Sequence, residues 1–201
     1  MYPYNYKMGQ TIQTNVPGVS CDRGFSAHFQ VGAANATAAS TTGIHAAITN
    51  TGAQQVITTG ITNPSVPRNI TATAGGTALD IGAIQVTITG TNYADEVITE
   101  ILPAFTVDTA GTVTGSKAFK TVTSITVPAH DGLGATTAIG FGEKLGLPYL
   151  LAHNTVLAAY LDNVKEGTAP TVTTSATAIE SNTMDLNSAL SGKVVDAYLI
   201  V

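Results

Sequence analysis

Ile84-Gln85-Val86-Thr87-Ile88-Thr89 is the stretch that decides the fold. Three aliphatic residues occupy one phase of a two-residue period and three polar residues the other. Alternation of that kind buries one face of a β-strand and exposes the other. Gly90-Thr91-Asn92 then opens a turn, and Glu96 to Leu102 reads as the returning strand, ended by Pro103.

Working outward from this hairpin, the same grammar recurs. Phe25 to Val31, Gln54 to Ile61, Arg68 to Thr73, Thr136 to Phe141, Asn154 to Leu161, Thr171 to Ala178 and Val194 to Val201 are further strand candidates. An Ala/Thr/Ser/Gly stretch runs to Thr42 without a strand assignment. Pro64 and Pro67 forbid a continuing ladder, so Asn63 to Pro67 is a loop or a crossing between sheets. Lys117 to Val127 forms one long run in which Phe119, Val122, Ile125 and Val127 do not share a phase. A β-bulge between Thr121 and Ser124 would point all four inward. In the last run Val195, Ala197, Leu199 and Val201 oppose Asp196 and Tyr198, and its end is expected to be paired and buried. Only Asp185 to Leu190, stopped by Gly192, suggests a short helix. Turn signals every 8–12 residues or so indicate an all-β chain, a β-sandwich or jelly-roll-like barrel. No fixed-length repeat points to a propeller or solenoid.

Composition agrees. Of 201 residues 44% are hydrophobic but only 10% are charged, against about a quarter in ordinary soluble domains. Abundant Thr and Val suit a pleated surface. So few charges imply that partner subunits cover much of the surface, which predicts a homo-oligomer. The net charge of −5, with eight basic residues scattered from Lys7 to Lys193, provides no basic stripe for nucleic acid. Met1 to Gln10 lacks the pattern of a signal peptide. The greasiest run, Leu145 to Ala152, falls far short of the roughly 20 residues of a membrane helix. No membrane association is expected, and synthesis is expected in the cytoplasm.

Residues 1 to about 24 are polar, interrupted by Pro3, Pro17, Gly18 and Gly24. They read as an extended N-terminal arm, with a frayed terminus as the alternative, preceding a single β-rich domain over residues 25–201. Tyr2, Tyr4 and Tyr6, at period two, favour an arm that docks on a neighbouring surface.

Chemistry is thinly represented. His28, His45, His130 and His153 include no HxxxH or HxH spacing for a metal. His130-Asp131 resembles a catalytic pair, but Pro128 to Gly132 also reads as a solvated turn. Gly140 to Gly146 (GFGEKLG) lacks the Ser or Thr after Lys144 that a phosphate loop requires, and reads as a bend between strands. Gly18-Val19-Ser20-Cys21-Asp22 lacks the final Gly of a nucleophile elbow. Cys21, the only cysteine, has no adjacent base and reads as a small apolar residue. Asp95, Glu96 and Glu100 could hold a cation, yet a solvated strand face carrying Glu96, Ile98 and Glu100 explains them as well. The expectation is a chain that is not an enzyme, with no catalytic residues, metal or cofactor.

Four blocks nevertheless resemble a known group. Pro64-Ser65-Val66-Pro67-Arg68-Asn69-Ile70-Thr71 followed by Ile84 to Gly90 is the first, and Ser116 to Ile125 the second. The others are Gly140 to Tyr149, and Met184 to Leu190 together with Val194 to Val201. As a set they are similar to structural proteins of tailed bacteriophages, most like capsid decoration (cement) proteins. The resemblance covers about Pro64 to Val201, while residues 1–63 carry none. It implies a head protein on the capsid surface of the virion, with the major capsid protein and its own copies, in threefold or related symmetry, as partners. A tail or baseplate subunit, a carbohydrate-binding β-module whose platform would have to come from tyrosines, and a hydrolase are the alternatives, the hydrolase least favoured.

Overall fold

The computed structural model describes residues 11–13, 17–18, 20–22 and 24–201. Tyr2, Tyr4 and Tyr6 lie outside the described residues. The described chain is all-β, with sixteen strands, two single-turn 3₁₀ segments and no α-helix. In chain order the strands are β1 (Thr11–Gln13), β2 (Ser20–Asp22), β3 (Ser26–Val31), β4 (Ser40–Thr49), β5 (Gln55–Ile57), β6 (Arg68–Gly76), β7 (Thr87–Thr91) and β8 (Val97–Ile101). They continue with β9 (Gly111–Phe119), β10 (Thr121–Val127), β11 (Ala135–Gly146), β12 (Val156–Leu161), β13 (Val164–Lys165), β14 (Thr171–Thr173), β15 (Thr183–Asp185) and β16 (Val195–Ile200).

Every pairing is antiparallel. β1 and β2 pair with each other, Ile12 opposite Cys21. A four-stranded sheet runs β5-β10-β7-β8, a second runs β13-β12-β16-β3, and the central sheet runs β14-β15-β11-β6-β9 with β4 also on β11. The two edges of β11 behave differently. β6 follows one edge from Ala135 to Leu145, while the other is taken by β4 as far as Phe141 and by β15 from Leu145.

The buried residues form two clusters. Ile44, Ile70, Ile88, Phe119, Ile125 and Ile139 belong to the first, between the central sheet and β5-β10-β7-β8. Phe29, Leu145, Met184, Val195, Ala197 and Leu199 belong to the second, which β13-β12-β16-β3 covers. β11 enters both. Its twelve residues reach roughly 40 Å at about 3.3 Å per residue, enough to span two packed layers.

Several sequence expectations take definite form. The run from Lys117 to Val127 is two strands that part at Lys120, where the chain leaves the central sheet for the other layer; the Lys120 amide donates to Thr91 O at 2.8 Å. The bulge falls between Val122 and Ser124, and Phe119, Val122, Ile125 and Val127 are all buried. Asp185 to Leu190 contains no helix. Leu186 and Leu190, four apart, mimic a helical stripe, but Asp185 ends a strand and the remaining residues are too few to nucleate a helix alone. Val201 exchanges backbone hydrogen bonds with Phe25, although its side chain is exposed. β14 stops at Thr173 because the buried Asn182 amide organises the next turn, accepting from Ser175 N and donating to Ser175 O and Ala178 O.

Candidate functional site

Each polar group singled out in the sequence has a definite place. His130 is buried at the end of the first core. The Gly82 amide donates to its Nδ1 at 3.2 Å, so Nε2 carries the ring proton and donates to Thr137 Oγ1 at 2.8 Å. Phe105 stacks on the ring, and Asn50 ties the adjoining loop through the carbonyls of His130 and Gly132. This imidazole is a structural pin, not the solvated turn residue suggested by Pro128 to Gly132.

Burial pushes the His130 pKa below 6.5, opposed by the charge of Asp131. Above that value the ring is neutral in both folded and unfolded chains, and its contribution is complete. As pH falls through about 6.5 the unfolded chain takes the proton first, so stability declines until the lower folded pKa is passed. Urea midpoints measured between about pH 7 and pH 5 should therefore fall more steeply for the native chain than for His130→Gln. Identical slopes would place the acid sensitivity elsewhere.

The acidic residues near the first hairpin are dispersed. Asp95 pairs with Lys120 Nζ at 2.7 Å, and Glu96 accepts from Asn92 Nδ2 at 2.9 Å. Glu100 corrects the expectation of a solvated face, because Ile98 and Glu100 point inward while Val97, Thr99 and Ile101 point out. Its carboxylate reaches a bulge in β9 that loops out Gly115 to Lys117, where it accepts from Ser116 N (2.7 Å), Ser116 Oγ (2.8 Å) and Lys117 N. These amides have lost their ladder partners, and the carboxylate replaces them. A Cβ on Gly115 would press on that carboxylate and on Ile70 O. Among the described residues no three His, Cys, Asp or Glu side chains gather as metal ligands.

Gly140 to Gly146 is not a bend between strands but the C-terminal part of β11. The register with β6 shifts between Phe141 and Leu145, and Asn69 plugs the gap, accepting from Lys144 N at 3.1 Å and donating to Gly115 O at 3.3 Å. Beside it lies a groove of about 320 Å³ lined by Asn69, Thr71, Thr112, Thr114, Glu143, Lys144 and Asp185, among others. Burial raises the Asp185 pKa, with Lys144 opposing and Glu143 adding to the rise.

The surface that stands apart is the outer face of β5-β10-β7-β8. Its cross-strand rungs read Val56-Thr126-Thr87-Ile101, Ser124-Thr89-Thr99 and Thr121-Thr91-Val97, with no charge in any of them. Val97 is 77% exposed and Ile101 63%. Thr91 and Thr121 hydroxyls hydrogen-bond each other at 2.7 Å, Thr89 and Thr99 at 3.4 Å, which turns methyl groups and paired hydroxyls toward solvent. The open edge of β8 is guarded, since Lys117 Nζ donates to Thr99 O at 3.1 Å and itself pairs with Glu180. The face is open to a partner and the edge is not.

No family model, curated protein or solved structure matches this chain.

The uncharged face was missed in the sequence because it draws on four strands between Val56 and Thr126. Its signal was the polar phase of Ile84 to Thr89, in which Gln85, Thr87 and Thr89 are all uncharged. Cys21 lies in β2, and Ser20 and Asp22 flank it there.

Proposed function

We propose that this chain is a non-catalytic structural subunit that assembles through the uncharged threonine face, and that its setting is the head of a tailed phage, as a decoration subunit on the major capsid protein. The observation that carries the assembly reading is the three charge-free rungs of β5-β10-β7-β8. β-Branched side chains with mutually paired hydroxyls hydrate weakly, so covering them with a like surface releases water at small polar cost. The four sequence blocks support the phage setting, and the scarcity of charge supports burial of surface between subunits.

Sedimentation of the purified chain across a micromolar series tests the assembly. The expected result is a species larger than the 20.5 kDa chain, and Thr89→Lys, which sets a charge in the middle rung, should return it to 20.5 kDa. A native chain that sediments at 20.5 kDa throughout overturns the proposal. Saturable binding to emptied phage heads supports the decoration role, whereas rings or tubes formed by the chain alone would place it in a tail.

A further inference from the structure

The sheet β13-β12-β16-β3 buries one face in the second core, and its other face carries polar chemistry that the fold does not use. Two adjacent rungs cross it. In one, Tyr160, Asp196 and Gln30 are cross-strand partners; in the next, Ala158, Tyr198 and His28. Alternate residues of a strand share a face, so both rungs project outward together.

Asp196 is the fixed point of the cluster. It is only 9% exposed, and its Oδ1 accepts from His28 Nε2 at 2.7 Å and Gln30 Nε2 at 2.8 Å. Among the described residues nothing donates to Oδ2. A carboxylate held by two donors cannot swing away, so the second oxygen keeps one direction. The aromatic rings are equally fixed. His28 lies flat on Tyr198, centroids 4.8 Å apart at 11°, and Tyr160 meets Tyr198 at 88° and 6.0 Å. The two tyrosines thus make a corner, and Ala158, opposite Tyr198, has no side chain long enough to fill it.

Asn163 closes the far side. It sits with Asp162 in a two-residue turn between β12 and β13, both with left-handed φ (62° and 49°), as a type I′ turn demands. Asp162 anchors that turn by accepting from Val194 N at 2.9 Å and donating its own amide to Val194 O at 2.8 Å. Tyr160, Asn163, Asp196 and Tyr198 line a hollow of about 320 Å³.

We propose that this hollow binds a saccharide, one neutral pyranose ring at a time. A pyranose offers an apolar face of C–H groups and a rim of hydroxyls. The tyrosine corner accommodates the first, and Asp196 Oδ2, an acceptor only, with the Asn163 amide, a donor and acceptor, accommodates the second. The carboxylate repels phosphate, as does the net charge of −5, which sets the site apart from a nucleotide pocket. The hollow is at the small end of ligand sites, matching a single ring instead of a long chain. It lies on a different sheet from the threonine face and does not rest on the assembly proposal.

Saturation-transfer NMR on the full chain tests it, with methyl glycosides of glucose, galactose, mannose, rhamnose and N-acetylglucosamine as probes and adenosine alongside. Transfer to the ring protons of at least one glycoside is expected, with an affinity in the millimolar range. Tyr198→Thr replaces the ring with a β-branched residue that suits a strand, and Asn163→Gly keeps the left-handed turn; both are expected to retain the fold. Tyr198→Thr should weaken binding by about tenfold or more, equivalent to about 1.4 kcal/mol, and Asn163→Gly by several-fold. No transfer to any glycoside at millimolar concentration overturns the proposal, as does unchanged affinity in both variants. Adenosine bound more tightly than every glycoside also overturns it, and would mark the corner as a nucleobase stack.

Discussion

Arg68→Ala is expected to lower the unfolding free energy by about 3–5 kcal/mol, the range for emptying a large buried site and breaking a buried charged contact at once. Arg68 is fully buried at the first position of β6, between Leu145 and Phe119 on the flanking strands, where the two cores meet. Its Nη1 donates to Thr37 O at 2.7 Å and to Thr37 Oγ1 at 3.2 Å, and the guanidinium lies over the Phe141 ring at 4.6 Å. Nε and Nη2 have no partner among the described residues. Burial lowers its pKa to about 10 against the attraction of Glu143, so the site tolerates the charge without welcoming it. Alanine removes the stem, the ring contact and the tether to residue 37 together. Arg68→Met keeps the stem and discards the desolvated cation, and should stay within about 1 kcal/mol of the native chain. Urea titration of both variants separates packing from charge. A methionine variant as damaged as the alanine one would show that the Thr37 bond dominates.

Gly140→Ala should cost at least the upper end of the usual overpacking range of about 1–3 kcal/mol. Gly140 pairs with Thr71 on one side of β11. On the other side β4 bulges, since Ile139 faces His45 and Phe141 already faces Ser40. The slack in β4 is pressed against Gly140, and an added Cβ would overlap Ser40 O and crowd the Thr41 carbonyl carbon. Those atoms are backbone and have no rotamer to escape into, so relief requires β4 to leave β11 and Ile44 to leave the core. Gly111→Ala is the control: it lies in β9 with nothing within 4 Å of the added carbon, and a change within about 0.5 kcal/mol is expected. Equal thermal midpoints for the two variants would refute the steric argument.

How much could be read beforehand varies by element. The inward phase of Ile84 to Thr89 was legible, because Val86 and Ile88 are indeed buried, but the ladder begins only at Thr87. The bulge at Val122 to Ser124 was legible from four apolar residues that could not otherwise face one core. β4 was not, because Gly43, Ala46 and Ala47 dilute its alternation and its own bulge breaks the period of two. Glu100 was read outward because its phase partner Glu96 is also charged, and the amides it serves lie sixteen and seventeen residues further on. The tyrosine hollow was legible only in fragments. Asp196 and Tyr198 stood out as the polar phase of the last strand, but Gln30 and His28 reach them across more than 160 residues of chain, by topology alone.

A body with two cores would ordinarily flex where they meet. Here that waist holds the shift in β11, and three groups brace it from different directions: Asn69 in the gap, Arg68 against Phe141, and Glu100 on the matching bulge of β9. β11 therefore acts as a tie rod whose thinnest section is also its best reinforced. A pull on one layer passes along a continuous backbone into the other, and the braces at the waist oppose hinging between the two cores.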